Sequence, residues 1–135
     1  MPFMQVLHAA LVMESLDYVV EEIKPRLDEL IQSPVFRCAE IRGGYGHRDG
    51  VRGIINTEAN CRGAGAVALG MKLYDLKTGT RTYSDSKEYR DVADWIDSMK
   101  DNTGYFGYQT EHHMKRRGKG SPAQYIPCWW IFGTI

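Results

Sequence analysis

Gln124-Tyr125-Ile126-Pro127-Cys128-Trp129-Trp130-Ile131-Phe132-Gly133-Thr134-Ile135 is the densest apolar run in the chain and holds two of its three tryptophans. Read as a strand, it sends Tyr125, Pro127, Trp129 and Ile131 to one side. Ile126, Cys128, Trp130 and Phe132 go to the other, because alternate residues of a strand face opposite ways. Neither set is polar. Such a strand is covered on both sides by its own fold, or on one side by a partner chain. Trp is enriched at interface hot spots, so Tyr125, Trp129, Trp130 and Phe132 are the candidate contact residues. One tryptophan then belongs to the core and the other to an interface.

Working outward from that strand, Met114 to Ala123 is a basic turn and Tyr105 to His113 a preceding strand. Asp85 with Glu88 three residues later has the spacing of a capping box. It opens a helix near 86–100, with Tyr89, Val92, Trp95, Ile96 and Met99 on its apolar face and Asp101 to Gly104 as its close. Ala66 to Leu76 alternates, with Leu69, Met71 and Leu73 on one side. Lys77-Thr78-Gly79 then turns into Thr80 to Tyr83, which reads as a hairpin. Val35 to Ile41 and Ile54 to Glu58 supply further short strands. Five glycines between Arg42 and Gly53 make that segment a loop.

Toward the N-terminus, Gln5 to Gln32 reads as helix. Leu16, Val19, Val20, Ile23, Leu27, Leu30 and Ile31 recur at three- and four-residue steps. Pro25 removes a backbone donor, so it kinks the helix or begins a second one; Ser33-Pro34 stops it. Phe3 to Val12 fits either helix or strand. The expected architecture is a single α+β domain over residues 1–135. It has a long N-terminal amphipathic helix, a mainly antiparallel sheet of about five strands and a second helix near 86–100.

The 135 residues carry 17 basic and 17 acidic side chains, a formal net charge of zero. That balance argues against a dedicated nucleic-acid binder and gives little colloidal repulsion, which suits a subunit of an assembly. Cys38, Cys61 and Cys128 show no metal-site spacing and read as reduced, structural thiols. No signal peptide or bilayer-length apolar run is evident.

Two clusters carry possible chemistry. Glu111-His112-His113 could serve acid–base work or hold a metal, but no third ligand accompanies them, and a polar strand end is the simpler reading. Lys115, Arg116, Arg117 and Lys119 concentrate positive charge. With Arg48 and Arg52, and Arg42 beside them in the glycine-rich loop, they could contact phosphates, and Tyr45 could stack on a base. Two solvated loops are the simpler reading there. No catalytic, metal or cofactor motif of strong signature is present.

The ending Tyr125 to Thr134 resembles the aromatic strand closing in Phe-Gly-Thr of small tail-completion (neck) proteins of long-tailed bacteriophages. Those proteins also begin with a long amphipathic helix and continue with an antiparallel sheet. Ile131 stands where an acidic residue usually precedes Phe-Gly-Thr, and the proline-rich tail usual there is missing. The resemblance implies a ring-forming virion protein at the head–tail joint or tail end, with loops facing neighbouring rings or DNA.

The expectation is therefore a non-enzymatic assembly subunit, in a virion or the host cytoplasm. Its partners would be other copies of itself and neighbouring assembly proteins, with DNA a further candidate; no membrane or cofactor is implied. The alternatives are a small nucleic-acid or anionic-partner module using residues 115–119, and a small enzyme using Glu111, His112 or His113.

Overall fold

The computed structural model describes residues 2–38, 41–46 and 61–99. They form helices α1 (Pro2–Met13), α2 (Leu16–Tyr18), α3 (Lys24–Gln32), α4 (Cys61–Thr78) and α5 (Lys87–Ser98), with a π-helical stretch, Val19–Ile23, between α2 and α3. No strand occurs among the described residues; one isolated antiparallel bridge joins Arg37 to Tyr45. The antiparallel sheet expected from the alternating segments is thereby overturned, and with it the α+β class. The expected strands over 54–58, 105–113 and 124–135 lie outside the described residues.

The decisive correction is Ala66 to Leu76, which is helical and forms the middle of α4. Alternation at Leu69, Met71 and Leu73 suggested a strand. The same residues also follow helical steps: Ala64, Val67, Ala68, Met71 and Tyr74 are all buried. Ala, Leu, Met and Lys favour the helix, and only Val67 and the terminal Thr78 of α4 are β-branched. α4 packs against α1, α5 and α3. A helix covered on so much of its surface has no broad polar face, so its sequence carries no clear 3.6-residue pattern.

The expected hairpin over 77–83 is instead the exit from α4. Gly79 has φ 68°, and the Thr80 amide donates to the Asp75 carbonyl at 3.1 Å. This is the left-handed glycine cap that closes many helices. Asp75 then turns the chain toward α5. Its carboxylate accepts from the Tyr83 amide (3.0 Å), the Ser84 amide (2.7 Å) and the Ser84 hydroxyl (2.7 Å). Ser86, one residue beyond the expected Asp85, caps α5 by accepting from the Tyr89 amide. Tyr89, Val92 and Ile96 are buried on the inner side of α5, and Trp95 and Met99 are partly buried against the core.

The N-terminal helical region is broken twice. Ser15 has extended backbone and caps α2 by accepting from the Tyr18 amide at 3.2 Å. The chain then widens into the π stretch, where the Lys24 amide reaches back to Val19. Pro25 follows in the first turn of α3. A proline ring clashes with the carbonyl four residues earlier, and the wider π turn accommodates it. The two breaks re-aim the apolar stripe. Val19, Ile23, Leu27 and Ile31 enter the core, whereas Leu16 and Val20 stay exposed.

Of the expected strand over 35–41, Val35 and Phe36 lie in a turn, Arg37 makes only the isolated bridge to Tyr45, and residues 39–40 lie outside the described residues. Cys38 and Gly46 amides donate to the carbonyls of Gly44 and Phe36, at 2.9 and 3.0 Å. Gly43, at φ 74°, lies so close to α5 that a Cβ there would sit 2.0 Å from the Asp91 carbonyl oxygen.

Candidate assembly face and the clusters around it

α1 contains no Asp, Glu, Lys or Arg in its twelve residues. Its inner side, Met4, Leu7 and Leu11, is buried against the core. Its outer side carries Gln5, Val6, Ala9, Val12 and Met13, all exposed. Val6 is 66% exposed and Met13 82%. Leu16 follows, half-exposed, just past the helix. A surface helix ordinarily shows charged and polar residues to water. This one shows a single amide side chain and an otherwise apolar strip. Charge begins only beyond it, at the exposed Glu14, Asp17, Glu21 and Glu22.

The strip is held rigidly from behind. His8, on the inner flank of α1, makes a 2.9 Å hydrogen bond from Nε2 to the Ala66 carbonyl of α4. Because a carbonyl only accepts, Nε2 carries the proton. Burial lowers the imidazole pKa, opposed by that hydrogen bond. Lys77 Nζ donates to the Val12 carbonyl at 3.3 Å, capping the end of α1 from α4. Contact with the strip would therefore bear on a preformed surface.

A second cluster surrounds Tyr83. Its hydroxyl donates to Asp28, and Lys24 Nζ donates to the same carboxylate at 2.7 Å. Lys24 also lies 5.5 Å from the centre of the Tyr83 ring, and Tyr74 meets that ring edge-on at 5.2 Å. Burial raises the Tyr83 pKa, and the bond to Asp28 raises it further. The bond ties the α4–α5 turn to α3. A hollow of about 190 Å³ bordered by Arg26, Glu29, Leu30 and Ser33 lies on the same helix. Among the described residues, no three His, Cys, Asp or Glu side chains are grouped to hold a metal ion.

The glycine-rich loop serves the core where it is described. Tyr45, expected to offer its ring to a base, is buried and donates its hydroxyl to the Ile31 carbonyl at 2.9 Å. Arg42 is exposed and stands 3.8 Å from Asp91. Asp91 also accepts from Lys87 at 2.6 Å, and that bond is the main reason its pKa is lowered. Arg48 and Arg52 lie outside the described residues, as do Lys115, Arg116, Arg117 and Lys119. So do Glu111, His112 and His113, and the expected contact residues Tyr125, Trp129, Trp130 and Phe132. Among the described residues, no helix is long and apolar enough to cross a membrane.

Sequence reasoning passed over the outer strip of α1. The signal was present as a charge-free run from Pro2 to Met13, although that run fits helix and strand equally well. The Tyr83–Asp28 pair left no local trace. In comparisons with known proteins, no family model, curated protein or solved structure matches this chain.

Proposed function

We propose that this chain is a non-enzymatic assembly subunit that works as a homo-oligomer. The observation carrying this reading is the charge-free helix α1, with Val6, Val12 and Met13 standing more than half exposed on its outer side. Contiguous exposed apolar patches rimmed by polar residues mark interaction sites. Zero net charge adds support, since copies of the chain meet without long-range repulsion. The narrower form of the proposal is a virion component at a phage head–tail joint or tail end, and it rests on the resemblance of residues 125–134.

Size-exclusion chromatography with light scattering tests the reading. The expected result is a discrete species heavier than one 15.4 kDa chain. A stable monomer at high concentration would sink it.

A further inference from the structure

We infer that α1 docks on α1 of a second copy of this chain, antiparallel, about a two-fold axis passing at Ala9. The inference rests on the homo-oligomer reading and specifies its contact. A two-fold interface must be self-complementary: each patch meets its own copy. The outer side of α1 meets that condition. An axis at Ala9 sets Val6 opposite the partner copy's Val12, and Gln5 opposite its Met13. Ala9 meets Ala9, and a small residue at the crossing lets two helices approach closely. No charged side chain lies on the strip to be buried unpaired.

Charge at the helix ends supplies the orientation. α1 has no acidic residue in its first turn and no basic residue in its last. Its first turn thus supplies no carboxylate of its own to complement the helix start, and its negative C-terminal end is followed by Glu14, which is exposed. Within one chain that arrangement is unfavourable. In the antiparallel pair, Glu14 of each copy comes level with the first turn of the other copy's α1, and the two helix dipoles run in opposite directions. A parallel pair would instead bring both acidic ends together. A membrane surface is a poorer occupant. Interfacial helices use Lys and Arg beside the apolar face, whereas Glu14, Asp17, Glu21 and Glu22 follow α1.

The test uses the full chain in three forms beside the wild type. Ala9→Cys should form a disulfide-linked dimer under mild oxidation, whereas Arg81→Cys, exposed on the α4–α5 turn, should not exceed the wild-type background from its own cysteines. Val6→Glu with Met13→Glu should keep the wild-type circular dichroism while the solution mass falls, and its melting temperature should lose the concentration dependence that the wild-type dimer shows. If that double variant keeps the wild-type mass and Ala9→Cys fails to link, the two-fold contact is wrong although the chain still assembles. If the wild type is a monomer, both the contact and the assembly reading fail. A monomeric wild type whose melting temperature drops in the double variant would show that the chain's own remaining residues cover the strip, which also overturns the proposal.

Discussion

Tyr83 and Asp28, 55 positions apart in sequence, share one hydrogen bond that fastens the α4–α5 turn to α3. The same tyrosine receives the edge of Tyr74 and gives its backbone amide to Asp75. Three of the five helices thus have their relative positions tied to one side chain or its neighbours: α3 through Asp28, α4 through Tyr74 and Asp75, and α5 through Ser86. Ser86 contributes by donating to the Tyr83 carbonyl at 2.6 Å.

Tyr83→Phe removes the hydroxyl and keeps the ring packing. Hydrogen bonds to charged groups are worth about 1.5–3 kcal/mol. Asp28 keeps Lys24 and is 44% exposed on its side chain, so water replaces part of the loss. A destabilisation of about 1–2 kcal/mol is expected in urea unfolding. Asp28→Asn should cost a similar amount, and the double variant less than the sum of the two. Strict additivity would show that the pair is not coupled.

Gly43 and Gly79 both have positive φ but differ in surroundings, which separates backbone strain from collision. Around Gly79 a Cβ would meet nothing within 4 Å. Gly79→Ala should therefore cost about 1 kcal/mol, the conformational penalty alone. At Gly43 the Cβ would be driven into the Asp91 carbonyl. Gly43→Ala adds an overpacking cost to that strain, for a total of about 2–4 kcal/mol. Equal effects at the two positions in thermal melts would mean that the 41–46 loop does not press on α5 as described.

The contrast between these glycines also shows what sequence could and could not convey. Gly79 was legible as a turn because its conformational role is local. Gly43 stood in a run of glycines that read as loop, and its true constraint, contact with Asp91 of α5 far along the chain, has no local signature. The same division runs through the fold. Helix near 86–100 was readable from Tyr89, Val92 and Ile96 because α5 has one wet face and one dry face. Pro25, read as a kink or as the start of a second helix, stands in the first turn of α3. α4 was misread because a central helix loses the polar face that periodicity depends on, and Met71 and Leu73 then look like alternation. Its composition was the better guide. For the candidate face, absence of charge from Pro2 to Met13 was visible, but only the burial of Met4, Leu7 and Leu11 shows which side remains outward.

Alkaline conditions should destabilise the fold through its buried phenols. Burial raises the pKa of Tyr45, Tyr83 and Tyr89. A raised folded value means the unfolded chain releases its protons first as pH climbs. The stabilisation is intact below the unfolded tyrosine value of about 10 and is lost above it. The share of tyrosinate absorbance that comes from Tyr45, Tyr83 and Tyr89 should therefore rise together with loss of helical circular dichroism, not before it. Tyr83→Phe should make the alkaline limb shallower. Full ionisation of all tyrosines in a still-helical chain would contradict this.

His8 sets the opposite limb. Its imidazole is neutral when it donates from Nε2 to Ala66, and burial, the larger influence, holds its pKa below the ordinary value. The unfolded chain then takes up the proton first as pH falls. Stability from this group is complete above about pH 6.5 and declines as pH drops through the folded value, with a slope of up to about 1.4 kcal/mol per pH unit. Protonation leaves a desolvated cation between α1 and α4, the two helices that frame the candidate face. His8→Gln can still donate an N–H toward Ala66 but cannot titrate. Urea midpoints measured at about pH 7.5 and about pH 5 should therefore fall for the wild type and fall less for His8→Gln. His47, His112 and His113 remain in both forms, so the difference between the two curves isolates His8. Superimposable curves would show that His8 does not link acidity to the packing of α1.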